Sequence, residues 1–435
     1  MSESLDRAAL AGRQLAALHR LLTAVLAGNP FYRQKLAAAG VTAPPATLAD
    51  FFRTVPPTTK AEIVADQRDH PPFGSNLTYP LERYTRYSQT SGTTGRPLRW
   101  LDTPESWEWM VANWLVVFRA SGVGPGDRIM FAFSFGPFLG FWTSFDAGQR
   151  LGCLCIPGGG MSSAARLATI FEAGCTVLCC TPTYAIRLGE VAQEVGIDLA
   201  RAPVQRILVA GEPGAAIPAT RTRLEALWPT ATLRDHHGMT EVGPVTYECP
   251  VRRGVLHVIE TAYIAEINDV ATGQPVPPGE IGELWLTPLG RIGSPLIRYR
   301  TGDLVRAARE SPCACGRYEL ALEGGILGRS DDMVIVRGVN LYPAAVEAIV
   351  RQFPAVAEYR VEVDRRQALP EVRIEIEPLA EAGDPDGLAR AVAKALRDAL
   401  HLRVPVTAVA PGSLPRFEFK ARRWVEIGAA DGERA

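Results

Sequence analysis

The chain has 435 residues, enough for two or three domains. Its 46 basic and 47 acidic residues leave a net charge of −1, with 47% hydrophobic and 21% charged residues. That balance gives no electrostatic reason to expect nucleic acid or an anionic membrane as partner, and the composition is that of an ordinary soluble globular protein.

The opening MSESLDRAALAGRQLAALHRLL begins acidic and continues as an amphipathic helix, without the basic start and apolar run of a signal peptide. Residues 1 to about 50 read as helical, broken at NPFYRQKL. From about 80 to 325, short apolar strands (DRIMFAFSF, GCLCIP, CTVLCCTP, QRILVAG) alternate with amphipathic helices (TSFDAGQRLG, ARLATIFEAG), the pattern of a layered α/β fold with parallel pairing. Between 255 and 310 the pattern changes to strands separated by Gly/Pro turns, which predicts an antiparallel subdomain. After GRSDDM, strands (MVIVRG, EYRVEVDR, EVRIEIEPL) and two helices (PAAVEAIVRQF, LARAVAKALRDAL) predict a compact α+β unit, giving domains 1–328 and 329–435. No stretch approaches the roughly 20 apolar residues that span a bilayer, so no membrane and a cytoplasmic location are expected.

Five cysteines (153, 155, 175, 179 and 180) lie in apolar runs and read as reduced core residues. Cys249, Cys313 and Cys315 lie in turn-rich sequence. With His257 they form a three-thiol, one-imidazole set suited to a structural zinc ion with no open coordination position; two free thiols beside an incidental cysteine and histidine are the plain alternative.

Four segments carry chemistry. In YSQTSGTTGRPLRW, Gly92 and Gly95 let the backbone approach an anion while Ser91, Thr93 and Thr94 add hydroxyl donors; the segment is either a phosphate loop or a solvated turn, and it lacks the Walker spacing. DHHGMTE ends on an acid suited to Mg²⁺, YRTGDL is expected to set Asp303 in a turn where it can take two ribose hydroxyls, and GRSDDMVIVRGVNLYP joins the domains. In this order and separation the four resemble the core motifs of the adenylate-forming superfamily, and with SPCACGR and LPRFEFKARR the phenylacetate-CoA ligase family in particular, over about residues 80–425.

The resemblance implies a large N-terminal adenylate-forming domain, a small mobile C-terminal lid, and an AMP-forming aryl-CoA ligase using ATP, Mg²⁺ and CoA. It implies that Ser91, Gly92, Thr93, Thr94 and Gly95 hold phosphates and that Gly211, Glu212 and Pro213 lie beside adenine. It puts His237, in the segment with Gly238 and Met239, where relatives usually have a base-stacking aromatic. Thr240 would contact the α-phosphate, Glu241 hold Mg²⁺, and Asp303, assisted by Arg329, take the ribose. Lys420 would be the catalytic cation that offsets charge building at the α-phosphorus; Phe419 replaces the family's usual glycine before it. Asp331 would be the hinge and Gly338 would face CoA in the second half-reaction. Some relatives show a similar Cys-His-Cys-Cys set.

Phe135, Phe138, Gly140 and Phe141 would build the acid pocket, with Phe141 and Trp142 shortening it, which favours a benzoate-like acid while a phenylacetate-like one stays open. His236 would bond an ortho amino or hydroxy group, as in anthranilate. Two other readings stay open: loading of an acyl carrier protein, and an inactive nucleotide-binding homologue. A homodimer is compatible with the sequence.

Overall fold

The structure, a computed structural model, describes residues 5–90, 97–212, 214–330, 332, 334–336, 339–364, 371–400, 402–417 and 421–427. Five expected site elements fall outside the described residues: the Ser91–Gly95 segment, Pro213, Asp331, Gly338 and Lys420.

The first helix, Arg7–Gly28, is capped by Asp6, whose side chain accepts the Ala9 N–H, and buries Leu10, Gln14, Leu18, Leu21, Leu22 and Val25. That spacing of three and four residues makes one apolar stripe. Arg7 reaches Glu260 (2.6 Å) and the Tyr318 carbonyl (2.9 Å), and Gln14 donates to the carbonyls of Glu260 and Tyr263.

At the centre lies a five-stranded parallel sheet, in the order Leu154–Pro157, Arg128–Phe131, Val177–Cys180, Arg206–Val209, Thr232–Asp235. Side chains alternate along each strand, so both faces bury apolar residues. Ile129, Phe131, Cys179 and Leu208 join one core with Trp107, Met110 and Trp114 of the Pro104–Ala120 helix. Met130, Leu178, Cys180, Ile207 and Val209 join another with Leu167, Ile170 and Leu188 of flanking helices. Each such buried aliphatic contributes roughly 1.5–3 kcal/mol. The five sheet-region cysteines are free thiols, Cys155 only partly buried.

The antiparallel part is a four-stranded sheet (Tyr263–Asn268, Ile281–Pro288, Tyr299–Arg306, Gly328–Arg329) and a three-stranded one (Thr246–Glu248, Val255–Val258, Ala321–Glu323). One detail departs from the sequence reading. Asp303 is not in a turn: it lies within the Tyr299–Arg306 strand, opposite Arg329, and the irregularity is a kink at Gly302 (φ 78°) beside the register shift at Glu283/Trp285. Arg329 is in the last strand of that sheet, opposite Asp303, and the Ser330 N–H still bonds the Gly302 carbonyl.

The C-terminal unit has a mixed sheet in the order Val406–Ala408, Glu371–Pro378, Val356–Asp364, Trp424–Ile427, covered by helices Pro343–Val350 and Pro385–Leu400 around their own core. Among the described residues no helix is long and apolar enough to cross a membrane.

Candidate active site and metal centre

The carboxyl ends of parallel strands are where open α/β sheets place ligands, because the following loops converge there. Here Phe131 leads into the aromatic loop, Val209 into Gly211–Glu212, and Asp235 into His236–His237.

After His237, Gly238–Met239 pairs with Gly243–Pro244 as a short hairpin with Thr240 and Glu241 in its turn. A side chain at Gly238 would come within 2.9 Å of the Gly243 carbonyl, so the hairpin needs glycine there. The turn is held from below by a residue that the motifs did not single out. Arg291 is fully buried, pairs with the fully buried Asp102 through two 2.7 Å bonds, and donates from Nη1 to the carbonyls of Thr240 (2.6 Å) and Glu241 (2.8 Å). Its guanidinium also lies 5.6 Å from the Trp100 ring centroid. No local pattern marks it, because its partners are 50 to 189 residues away.

Burial raises the Glu241 carboxyl above its ordinary range, while the positive charges of Lys60, Arg329 and Arg291 pull it back. Asp303 Oδ1 accepts from Arg329 Nη1 at 3.0 Å, and His237 Nε2 lies 3.2 Å from Asp303 Oδ2. Glu241 and Asp303 thus share the field of one guanidinium. Immediately before the strand that carries Asp303 lies Arg298, the only described non-glycine residue at positive φ (46°), held by Glu266 and by the carbonyls of Phe52 and Val55. Strain of that kind persists only where surrounding bonds enforce it.

The Glu212 carboxylate is committed to backbone donors. Oε1 accepts from Thr183 N (2.9 Å) and Oε2 from Ala421 N (3.0 Å), so in this arrangement the side chain serves a helix end and the C-terminal unit.

In the aromatic loop, Phe141 stacks on Phe133 at 3.9 Å between centroids, Phe135 packs on Phe133 and Phe145, and Trp114 bridges Phe141 (6.3 Å) and His236 (4.3 Å). Phe135, Phe141 and His236 therefore come together as expected. Phe138 and Gly140 do not join them. Phe138 is 43% exposed and lies over Gly136, and Gly140 is exposed in open space, while Leu139 between them is the residue of the turn that enters the core. Trp142 likewise stays 37% exposed, its Nε1 donating to the Gly136 carbonyl. Trp114 and Phe133 are the aromatic neighbours that motif reading missed; the amphipathic spacing of the Pro104–Ala120 helix, which turns Trp114 inward, was the available signal.

His236 is buried, and its Nδ1 lies 2.6 Å from the Thr246 carbonyl. A carbonyl can only accept, so Nδ1 carries the proton and Nε2 presents a lone pair. Burial pushes the imidazole down to about 3, keeping it neutral.

Far from these groups, Cys249, His257, Cys313 and Cys315 place their ligand atoms within 4.8 Å of one another. Cys249 and Cys313 Sγ are 3.9 Å apart, and Cys315 Sγ is 3.4 Å from His257 Nε2. Metal–sulfur and metal–nitrogen bonds of about 2.3 and 2.0 Å in a tetrahedron put ligand atoms roughly 3.5–3.8 Å apart, so the spacing fits. His257 Nδ1 faces the Glu319 carbonyl (3.3 Å), leaving Nε2 as the ligand, and the Arg252 N–H points at Cys249 Sγ (3.3 Å).

The AMP-binding enzyme family matches residues 88–288, and the AMP-binding enzyme C-terminal domain matches residues 338–426. A phenylacetate-coenzyme A ligase of Thermus thermophilus is 31% identical over 98% of both chains. That of Escherichia coli (strain K12) is 32% identical over 92% of this chain and 90% of its own. The chain belongs to the phenylacetate-coenzyme A ligase family of AMP-binding enzymes. Among solved structures of this adenylate-forming fold, a 2-hydroxyisobutyryl-CoA ligase in its postadenylation state superposes with TM-score 0.92 at 28% identity, covering 98% of this chain and 91% of that one. The same ligase in its thioesterification state gives 0.73 over the same shares. The domain arrangement of this family member therefore superposes more closely on the first of these two structures than on the second. An anthranilate CoA ligase, at 20% identity and TM-score 0.59 over 78% of this chain, shares the fold.

Proposed function

We propose that this protein is an AMP-forming CoA ligase for a small aromatic acid carrying a hydrogen-bond donor beside its carboxyl group. The observation that carries the reading is the pair of buried carboxylates, Glu241 and Asp303, facing Arg329 at the carboxyl edge of the parallel sheet. Asp303 suits a ribose diol, Glu241 suits Mg²⁺, and the Thr240 side chain, on a turn fixed by Arg291, suits a phosphate oxygen. Bound Mg²⁺ would neutralise phosphate charge. The composition of Ser91, Gly92, Thr93, Thr94 and Gly95 suits the leaving phosphates.

In the first half-reaction a carboxylate oxygen bonds to the α-phosphorus as its bond to the bridging oxygen breaks and pyrophosphate leaves. Lys420 would balance charge at those oxygens. In the second, CoA sulfur bonds to the acyl carbon, AMP leaves, and the thiol proton is released. Asp331 would be the hinge for the intervening domain rotation, and Gly338 would line the CoA approach.

Phe133, Phe135, Phe141 and Trp114 favour an aromatic ring, and the tightly stacked Phe133–Phe141 pair favours one joined directly to the carboxyl. His236 Nε2 can only accept, which favours amino or hydroxyl substituents. The four-ligand centre suits structural Zn²⁺. A panel of benzoate, anthranilate, salicylate, phenylacetate and 2-hydroxyisobutyrate, assayed by pyrophosphate release with and without CoA and by mass spectrometry of the thioester, tests the reading. Phenylacetate far outpacing the three benzoates would sink the substrate assignment. Pyrophosphate release without free acyl-CoA would point to a carrier-protein acceptor. Lys420→Ala should bind ATP and lose adenylate formation by orders of magnitude.

A further inference from the structure

Glu212 belongs to the large domain, yet one of its carboxylate oxygens holds the backbone of the C-terminal unit. Oε1 takes the Thr183 N–H in the first turn of the Pro182–Glu194 helix, and Oε2 takes the Ala421 N–H. A carboxylate at a helix N-terminus is favourably placed, and both bonds are charge-assisted. Ala421 is the residue after Lys420 and leads into a firmly anchored segment. Two residues on, Arg423 is buried, its Nε and Nη2 bond both oxygens of Glu358 (2.7 and 3.1 Å), and its carbonyl accepts from Val361 N. The strand Trp424–Ile427 then pairs in parallel with Val361–Asp364. Residues 421–427, which follow Lys420 in the sequence, are thus held by the small domain through Arg423 and the Trp424–Ile427 strand and by the large one at Ala421. One further bond, Arg223 Nη1 to the Val356 carbonyl (3.2 Å), crosses the same seam. This seam belongs to the arrangement that superposes more closely on the postadenylation structure than on the thioesterification one.

We infer that Glu212 is a positioning residue that docks the segment after Lys420 onto the large domain for adenylation, and that this bond breaks when the small domain turns for thioester formation. The inference rests on the CoA-ligase reading above and on the assignment of Lys420. It predicts an effect on one half-reaction only, which a residue needed merely for folding or nucleotide binding would not give.

The test measures the half-reactions separately in the full-length enzyme: pyrophosphate release from ATP and the accepted acid, and thioester formation from synthetic acyl-adenylate plus CoA. Glu212→Gln preserves shape but turns an NH₂ group toward one of two N–H donors, so it should behave like Glu212→Ala. Loss of a charged hydrogen bond predicts a fall in adenylation of about 10- to 100-fold, with thioester formation changed less than about twofold and little change in KM for ATP. Adding Glu212→Ala to Lys420→Ala should cost nothing further if the two act as one unit. An equal fall in both half-reactions, or a raised ATP KM at unchanged kcat, overturns the inference. A wild-type enzyme that forms no adenylate from any acid, or a Lys420→Ala variant with normal adenylation, overturns the underlying reading instead.

Discussion

Replacing Arg291 with alanine removes the support beneath the Thr240–Glu241 turn. In the wild type its side chain and that of Asp102 are both inaccessible to solvent, and the guanidinium makes four hydrogen bonds. Deleting it leaves the Asp102 carboxylate buried without its counter-ion, a change that costs about 3–5 kcal/mol. Spread over a large domain of this size, that is a fall of roughly 5–8 °C in Tm, read by calorimetry on the apo enzyme. The two carbonyls also lose charged hydrogen bonds, so pyrophosphate release should slow by about 10- to 100-fold. Because most of the stability cost is the stranded carboxylate, the double variant Arg291→Ala/Asp102→Ala should recover several degrees relative to Arg291→Ala while adenylation stays slow. A single variant melting within about 1 °C of wild type would refute the buried-pair argument. A double variant that recovers full adenylation would refute the positioning role.

Zinc analysis of protein purified without chelator should give one ion per chain, and Cys313→Ser should lose the metal and melt lower while retaining turnover at low temperature; metal-free wild type of unchanged Tm would remove the assignment. His236→Phe should shrink the preference for anthranilate or salicylate over benzoate by about tenfold, since one accepted hydrogen bond is lost; an unchanged ratio would place the substituent elsewhere. Asp235 gives a pH effect. Burial, with the Glu248 carboxylate adding to it and Arg221 opposing, pushes its carboxyl up to about 7, so its contribution to stability is full below the unfolded value near 4 and is lost as pH rises through 7. His236, held down near 3, acts oppositely and loses stability as pH falls below about 6.5. From pH 6.5 to 8 the two still oppose each other, but His236 is common to both proteins, so the denaturation midpoint should fall more steeply, or rise less, for wild type than for Asp235→Asn.

The layered architecture was legible because short apolar strands and amphipathic helices alternate, and periodicity reports faces directly. The motif reading named His237, Asp303 and Arg329, which the structure brings together, Asp303 and Arg329 across one ladder. What periodicity cannot report is pairing over long separations. Arg291 and Asp102 meet across 189 positions, and nothing local distinguishes Arg291 from any other arginine. Phe138 read like Phe135, because both are Phe in one loop and only the path of the turn decides which points inward. Asp303 was expected in a turn because Arg-Thr-Gly-Asp is turn-like; the ladder with Ile281–Pro288 and Arg329 overrides that preference, and Gly302 absorbs the conflict.

The bonds of the first helix bear on how the chain is made. Arg7 and Gln14 find their partners 246 to 311 residues further along. At about 5–20 residues per second, those partners leave the ribosome roughly 10–60 s after the helix does. For that interval its stripe is covered only in part, by Tyr32, Leu36, Phe51 and Val55 from the residues that follow it, while Ile264, Leu289 and Ile297 of the same cluster are still to be made, so closure of the domain waits on the sheet strand at Tyr263. Expression at lower temperature or with added chaperone should therefore matter more for this helix's variants than for equally buried substitutions near residue 300.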